Sequence, residues 1–490
     1  RLAGDVLENG KVLLFDTWRN PPLGSDRGFD LFPYIMAYWS KFLAIFGVSR
    51  EMAHIIYPPV AMIGILIFFY LWVRLLVGKR IAIIASLFLA VIPGFVFRTA
   101  AGFADHEAIS IMFMFLSLWL FTKADLMKVS RNKYLMMFGS GLAAFGMGVT
   151  WVGYPMLIIV ISGYLLSKML LSKSRCGYPK YVWFLTFSAL MTLVGKLHWK
   201  SYGWLIGFFA FGVLLVYDLL KERKFFVPNS ILSLLVVGLG GLILNSLFGF
   251  FDIGTFILNI LNAGGGDKLA GTTSEIARTY VTSGNSYLDN YGYLTFISLF
   301  GVFFLSWELF SDVGKKIRII LSSIAVGSIF VITMSNWSSD FQILGSNYIY
   351  LMLSVLFGLV AYYLYLYYTR REEYNVLSNL NNINLIMPII FFLVMGLLAR
   401  TAVRFIFVFA PAVALLAAIA FEDFLKHAKR YKFAQLGVVL IIGLLAFGAF
   451  GQAARVSDSI QSGLPGMWEE SMDWIRENTP EGSVISHWWD

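Results

Sequence analysis

The apolar residues of this 490-residue chain fall in continuous runs of helix length, separated by short polar breaks. A helix needs about 20 apolar residues to cross a hydrocarbon core of about 30 Å. Fourteen stretches meet or approach that length, at 53–76, 81–98, 108–122, 135–150, 153–171, 181–196, 202–219, 228–250, 291–309, 318–335, 346–369, 382–400, 403–421 and 433–451. A membrane barrel would instead alternate apolar and polar positions with period two. Spanning segments must satisfy their backbone polar groups internally, so helix and closed barrel are the only alternatives. The unbroken runs select the helix. The pattern predicts an all-α polytopic membrane protein, a multi-span helical bundle over residues 53–451.

Assigning the breaks alternately to two sides separates them by charge. One side holds the short loops near 73–80, 122–134, 167–180, 219–225, 311–318, 370–372 and 421–433, which together carry 23 of the chain's 38 Lys and Arg. Cytoplasmic loops collect basic residues, so this face is expected to be the cytoplasm. The tyrosine-rich run from Tyr362 to Tyr368, just before Arg370 and Arg371, fits an interfacial aromatic belt there. The opposite, external face then receives residues 1–52, the turn 99–107, the loop 251–290 and the tail 452–490.

Composition agrees: 58% of residues are hydrophobic and 14% charged, against about half and a quarter in soluble domains. The net charge of +9 on its own suggests nucleic acid. Its concentration in one set of loops reads instead as topology and contact with anionic membrane lipids, so no nucleic-acid partner is expected. The single cysteine, Cys176, excludes a disulfide framework and a cysteine metal cluster. Residue 1 is Arg, and an external first segment needs a span to deliver it, so a first helix is expected upstream.

Four polar clusters fall on the external side. The first is Asp105-His106-Glu107, where one span leaves the surface and the next re-enters, with Arg98 seven residues before Asp105. Ionisable groups at membrane depth are costly and usually functional. In a turn, carboxylates two apart point at one hard cation such as Mg²⁺ or Mn²⁺; a solvated acidic turn is the alternative. The second is the long loop AGGGDKLAGTTSEIARTYVTSG, residues 263–284, with Glu275 behind a flexible Gly-rich front. It reads either as a mobile linker or as a lid that brings Glu275 to a site. The third is Arg400 and Arg404 at the external start of a span, suited to phosphate or to snorkelling at the interface. The fourth is the tail, where 472–475 has helical patterning, 479–482 reads as a turn and 484–486 as a strand start. It looks like the beginning of an external α/β domain, cut at Trp488-Trp489-Asp490.

Taken in order, these motifs resemble the catalytic subunit of the asparagine-linked oligosaccharyltransferase, most closely its archaeal members. Trp488, Trp489 and Asp490 are similar to the first letters of the family's WWDYG motif. Asp105-His106-Glu107, with Arg98 ahead of it, is similar to its second acidic motif. Thr272 to Glu275 resembles its external-loop motif, and Arg404-Phe405 its donor-contacting Arg. The family's first acidic motif would lie just upstream of Arg1, and its core has about thirteen spans.

The resemblance implies transfer of an oligosaccharide from a lipid-linked dolichyl or polyprenyl phosphate donor to Asn of an Asn-x-Ser/Thr acceptor polypeptide, with inversion. It assigns metal binding (Mn²⁺ or Mg²⁺) to Asp105 and Glu107, catalysis to Glu275 and Arg98, donor-phosphate binding to Arg404, and sequon binding to Trp488, Trp489 and Asp490. It also implies a multi-pass enzyme of the cell membrane, with an external active site and a single subunit. The only sequon in the chain, Asn336-Trp337-Ser338, falls in an external loop. A protein O-mannosyltransferase type of enzyme is the nearest rival; it has no need of the sequon pocket. A secondary transporter would bind at the bilayer midplane, often between repeats, neither of which the sequence shows.

Overall fold

The computed structural model describes residues 2–12, 15–16, 23–26, 28–172, 177–197, 202–223, 225–249, 279, 281–282, 286–334, 337–338, 348–429, 431–459, 466–480 and 483. Among them, helices follow one another as α1 (Leu2–Asn9), α2 (Phe32–Ala44), α3 (Arg50–Val77), α4 (Lys79–Val91), α5 (Pro93–Thr99), α6 (Glu107–Leu126), α7 (Arg131–Thr150), α8 (Pro155–Leu171), α9 (Pro179–Leu193) and α10 (Tyr202–Leu220). They continue as α11 (Asn229–Phe248), α12 (Tyr287–Tyr291), α13 (Leu294–Leu309), α14 (Lys315–Met334), α15 (Tyr348–Thr369), α16 (Arg371–Leu377), α17 (Ile386–Thr401), α18 (Ile406–Ala428), α19 (Lys432–Ser459) and α20 (Gly466–Asn478). Among the described residues the one sheet is a pair of two-residue antiparallel strands, β1 (Phe15–Asp16) and β2 (Ser25–Asp26).

Where they are described, the fourteen apolar runs fall on helix. Eight of these helices are long and apolar enough, by length and composition, to cross a membrane. Helices α8 and α13 are apolar but shorter. The run 81–98, expected as one span, is two helices, α4 and α5, bent by 69°. The cause is local. Pro93 has no N–H to continue the ladder. The residue before a proline is pushed out of the helical region, and Ile92 sits at φ −73°, ψ 119°.

Helix α18 is the axis of the bundle, with 83% of its apolar window buried against α13, α4, α17, α19 and α5. Its Ala410, Ala414, Ala417 and Ala418 are fully buried and let neighbours approach closely, as small residues do in membrane helices. At Gly301 on α13, an added Cβ would collide with the Leu416 backbone of α18. By contrast, only 11% of the apolar window is buried in both α15 and α19. Their exposed Leu353, Leu356, Phe357, Leu440, Leu444 and Phe447 would be a large liability in water and suit a hydrocarbon surround. The protein is a multi-pass helical membrane protein. Helices α1 and α2 cover the start of α3, burying Val6, Met36 and Ala37 against Tyr57 and Ala108.

Candidate catalytic and metal site

The break at Pro93 turns seven residues out of the α4 axis and makes them a separate mount for Arg98. Helix α5 lies close to the start of α18: at Gly94 a Cβ would stand 2.9 Å from Ile406 and 3.0 Å from Asn290. After Thr99 the chain reverses through Gly102, whose φ of 94° is a conformation that favours glycine. It re-enters at α6, whose first residue is Glu107. The reversal brings Arg98, Asp105 and Glu107 together.

Arg98 is buried and holds both acids. Its Nη1 lies 3.1 Å from Glu107 Oε2 and 3.9 Å from Asp105 Oδ2, and its guanidinium sits 4.8 Å from the Phe103 ring centre. Glu107 is 1% exposed, and its Oε2 is buried without a hydrogen bond of proper geometry. Asp105 Oδ1 accepts the backbone N–H of His106 at 2.6 Å and lies 2.6 Å from His106 Nδ1. Burial works against ionisation of Asp105, but the hydrogen bond and charge of His106 and the charge of Arg98 outweigh it and hold the carboxyl below its ordinary value. For His106, burial is outweighed by the hydrogen bond and charge of Asp105, so its pKa is raised.

Two carboxylates share one guanidinium, with His106 on Asp105. Hard oxygen donors with unused lone pairs, one of them buried, fit a hard divalent cation in donor type. Asp105 and Glu107 would hold it. Among the described residues no three His, Cys, Asp or Glu converge into a complete site, so a further donor would have to come from elsewhere.

Arg404 lies on the one-turn 3₁₀ segment Val403–Phe405 that leads into α18, half-buried, within electrostatic reach of Glu107. Arg400 is buried near Tyr287. The segment that follows the long loop is fastened here: Thr279 Oγ1 donates to the Ala399 carbonyl and Tyr291 Oη to that of Ile406 at 2.6 Å. Glu275, Trp488, Trp489, Asp490, Asn336 and the strand at 484–486 lie outside the described residues.

Three residues escaped the sequence reading. The hydroxyl oxygen of Tyr57, on α3, accepts the Ile109 N–H at 3.1 Å in the first turn of α6. Asp30 acts electrostatically on both His106 and Lys196. Lys196 donates to the Val149 carbonyl at 3.3 Å. All three come from other parts of the chain, and only the fold brings them to the cluster.

Residues 15–251 match the family model described as oligosaccharyl transferase STT3, N-terminal. The dolichyl-phosphooligosaccharide-protein glycotransferase 2 of Pyrococcus horikoshii is 23% identical over 477 residues, 92% of this chain and 55% of that protein. Solved structures of the Archaeoglobus fulgidus oligosaccharyltransferase superpose on 98% of this chain. In complex with an inhibitory peptide and a dolichol-phosphate the TM-score is 0.66 at 14% identity, over 53% of that chain. Tethered to an acceptor peptide with an NVT sequon the TM-score is 0.65 at 16%, over 53%. With zinc and sulfate it is 0.60 at 15%, over 51%. This chain thus spans about half the length of the relatives it matches end to end. A bundle of this topology, with an acidic cluster at one end, has the membrane fold of the archaeal oligosaccharyltransferases. Residues 15–251 belong to the oligosaccharyl transferase STT3 family, and the rest of the chain follows the same archaeal relatives.

Proposed function

We propose that this protein transfers an oligosaccharide from a lipid-linked phosphate donor to the side-chain nitrogen of Asn in Asn-x-Ser/Thr acceptors, at the external face of the membrane and with inversion. The observation that carries this reading is the Arg98–Asp105–Glu107 cluster with Arg404 beside it, at one end of a bundle with the family's fold. The zinc-bound and dolichol-phosphate-bound states of the Archaeoglobus relative support the metal and the donor class.

An amide nitrogen is a weak nucleophile because its lone pair is delocalised into the carbonyl. A carboxylate that accepts the amide N–H bonds turns the group and frees the lone pair; this role is given to Glu275. The freed nitrogen attacks the anomeric carbon, the bond to the lipid phosphate oxygen breaks, and the amide proton passes to the carboxylate. Arg404 stabilises the charge that grows on the departing phosphate. Asp105 and Glu107 would bind Mn²⁺ or Mg²⁺, which screens phosphate charge and fixes the carboxylates. Arg98 positions both acids. Trp488, Trp489 and Asp490 take the Ser or Thr of the sequon.

The full-length protein in detergent, given a lipid-linked donor, is expected to shift the mass of an Asn-x-Thr peptide and not that of an Asn-x-Ala peptide, in Mn²⁺ and not in chelator. Modification of hydroxyl side chains instead would replace this reading with the O-mannosyltransferase type.

A further inference from the structure

A polar cavity of about 630 Å³ lies at the other end of the bundle. On α3, Tyr57 meets the acidic cluster while Val77 lines this cavity. The twenty residues between them rise about 30 Å at 1.5 Å each, the thickness of a hydrocarbon core. On α18, Arg404 precedes the first turn, and Asp423 and His427 in the last turns line the cavity. The cavity therefore opens at the opposite membrane interface.

Leu76, Leu385 and Ile419 give it an apolar floor, and Arg318, Lys426, Glu308 and Asp423 line it with both signs of charge. Arg318 is held in advance of any ligand. Its guanidinium lies 4.0 Å from the Trp307 ring centre, and its Nε donates to the Trp307 carbonyl at 2.6 Å. That fixes the plane of the fork, and among the described residues its terminal nitrogens make no ion pair. The acids are held by long contacts: Glu308 Oε1 accepts from Asn382 Nδ2 at 3.4 Å, and Asp423 Oδ1 lies 3.4 Å from Lys426 Nζ. His427 closes one wall, stacked on Phe304 with its Nδ1 2.8 Å from the Asp423 carbonyl oxygen.

The charges decide the ligand. Two cations face two carboxylates, so a purely anionic ligand gains at Arg318 and loses at Glu308, whereas a ligand with both signs gains at both. We infer that this cavity binds the headgroup of an aminophospholipid. Its phosphate lies on the Arg318 fork, its primary ammonium donates to Glu308 and Asp423, and its chains leave over the apolar floor into the bilayer. A quaternary ammonium has no N–H for the carboxylates. Soluble phosphoethanolamine esters carry the same polar chemistry; the apolar floor and the interfacial depth favour the lipid.

The test uses the full chain, stripped of lipid in neutral detergent and placed in phosphatidylcholine nanodiscs with phosphatidylethanolamine or phosphatidylglycerol as the minor component. Retained lipid is counted by native mass spectrometry. Phosphatidylethanolamine is expected to be retained over both other lipids. Arg318→Gln should lower its retention about tenfold, the loss of a charge-assisted pair. Glu308→Gln should erase the preference over phosphatidylglycerol, and in both variants peptide glycosylation should stay at the wild-type level. If Arg318→Gln does not fold, Arg318→Lys, which keeps the charge and gives up the planar fork, reads a loss in the same direction. Equal retention of all three lipids, or a preference for phosphatidylglycerol, overturns the inference. So does protection against heat by soluble glycerophosphoethanolamine equal to that by the lipid, which would make the ligand a soluble metabolite.

Discussion

Helix α6 carries a buried acid at each end, and the two ends are built differently. At its C-terminal end Asp125 meets a matching cation: Lys168 Nζ of α8 lies 2.6 Å from Oδ2. The Tyr164 hydroxyl sits between Asp125 Oδ2 at 2.5 Å and Asn384 Oδ1 at 2.8 Å, and the buried Lys133 caps the helix through the Asp125 and Met127 carbonyls. At the N-terminal end two carboxylates share Arg98, with His106 on Asp105 and Arg404 within electrostatic reach of Glu107. A charge balanced within the fold ties helices together. Acids and cations gathered at one end of the bundle, rather than paired between helices, are placed to meet a ligand.

Mutations can break this comparison, in order of expected size. Lys168→Met leaves Asp125 as an uncompensated buried charge and should cost about 3–5 kcal/mol, read as a large drop in the thermal midpoint in detergent. Adding Asp125→Asn should recover most of it. A Lys168→Met protein as stable as wild type would show that the pair does no structural work. Glu107→Gln is expected to cost about 100-fold in peptide glycosylation, while stability moves by less than about 1 kcal/mol. Equal losses of stability at Glu107 and Lys168 would erase the distinction between the two ends. At Arg404, replacement by Lys keeps the charge and gives up the planar fork. Turnover should fall by about tenfold with the donor, with folding untouched; unchanged turnover would remove Arg404 from the phosphate. The smallest effect is expected at Ser110, whose hydroxyl lies 2.7 Å from the His106 carbonyl and from Thr150 Oγ1. Ser110→Ala should cost about 1 kcal/mol and leave activity nearly whole, and a larger loss of activity than of stability would make it part of the site.

Much of this was legible in the sequence because long apolar runs have one solution in a bilayer. Where described, the fourteen stretches lie on helix, though among the described residues only eight helices, or nine with the bent pair, are long and apolar enough to span; the Arg98–Asp105–Glu107 grouping was visible because its members are nine residues apart at most. The break within 81–98 could have been read from Pro93. The Asp125–Lys168 pair could not: its members are 43 residues apart, and Lys133, Lys168 and Lys180 look like any other basic loop residues. The structure buries all three, with Lys180 2.6 Å from Asp218 of α10. Asp30 and Lys196 were missed for the same reason, since tertiary proximity leaves no local trace.

The bend at Pro93 has a mechanical side. A straight span would bind Arg98 rigidly to the whole length of α4. Broken there, α5 is a separate seven-residue arm held by α19 and by α18. Its direction is therefore set by α18 and α19, the two helices packed on it, and not by the axis of α4.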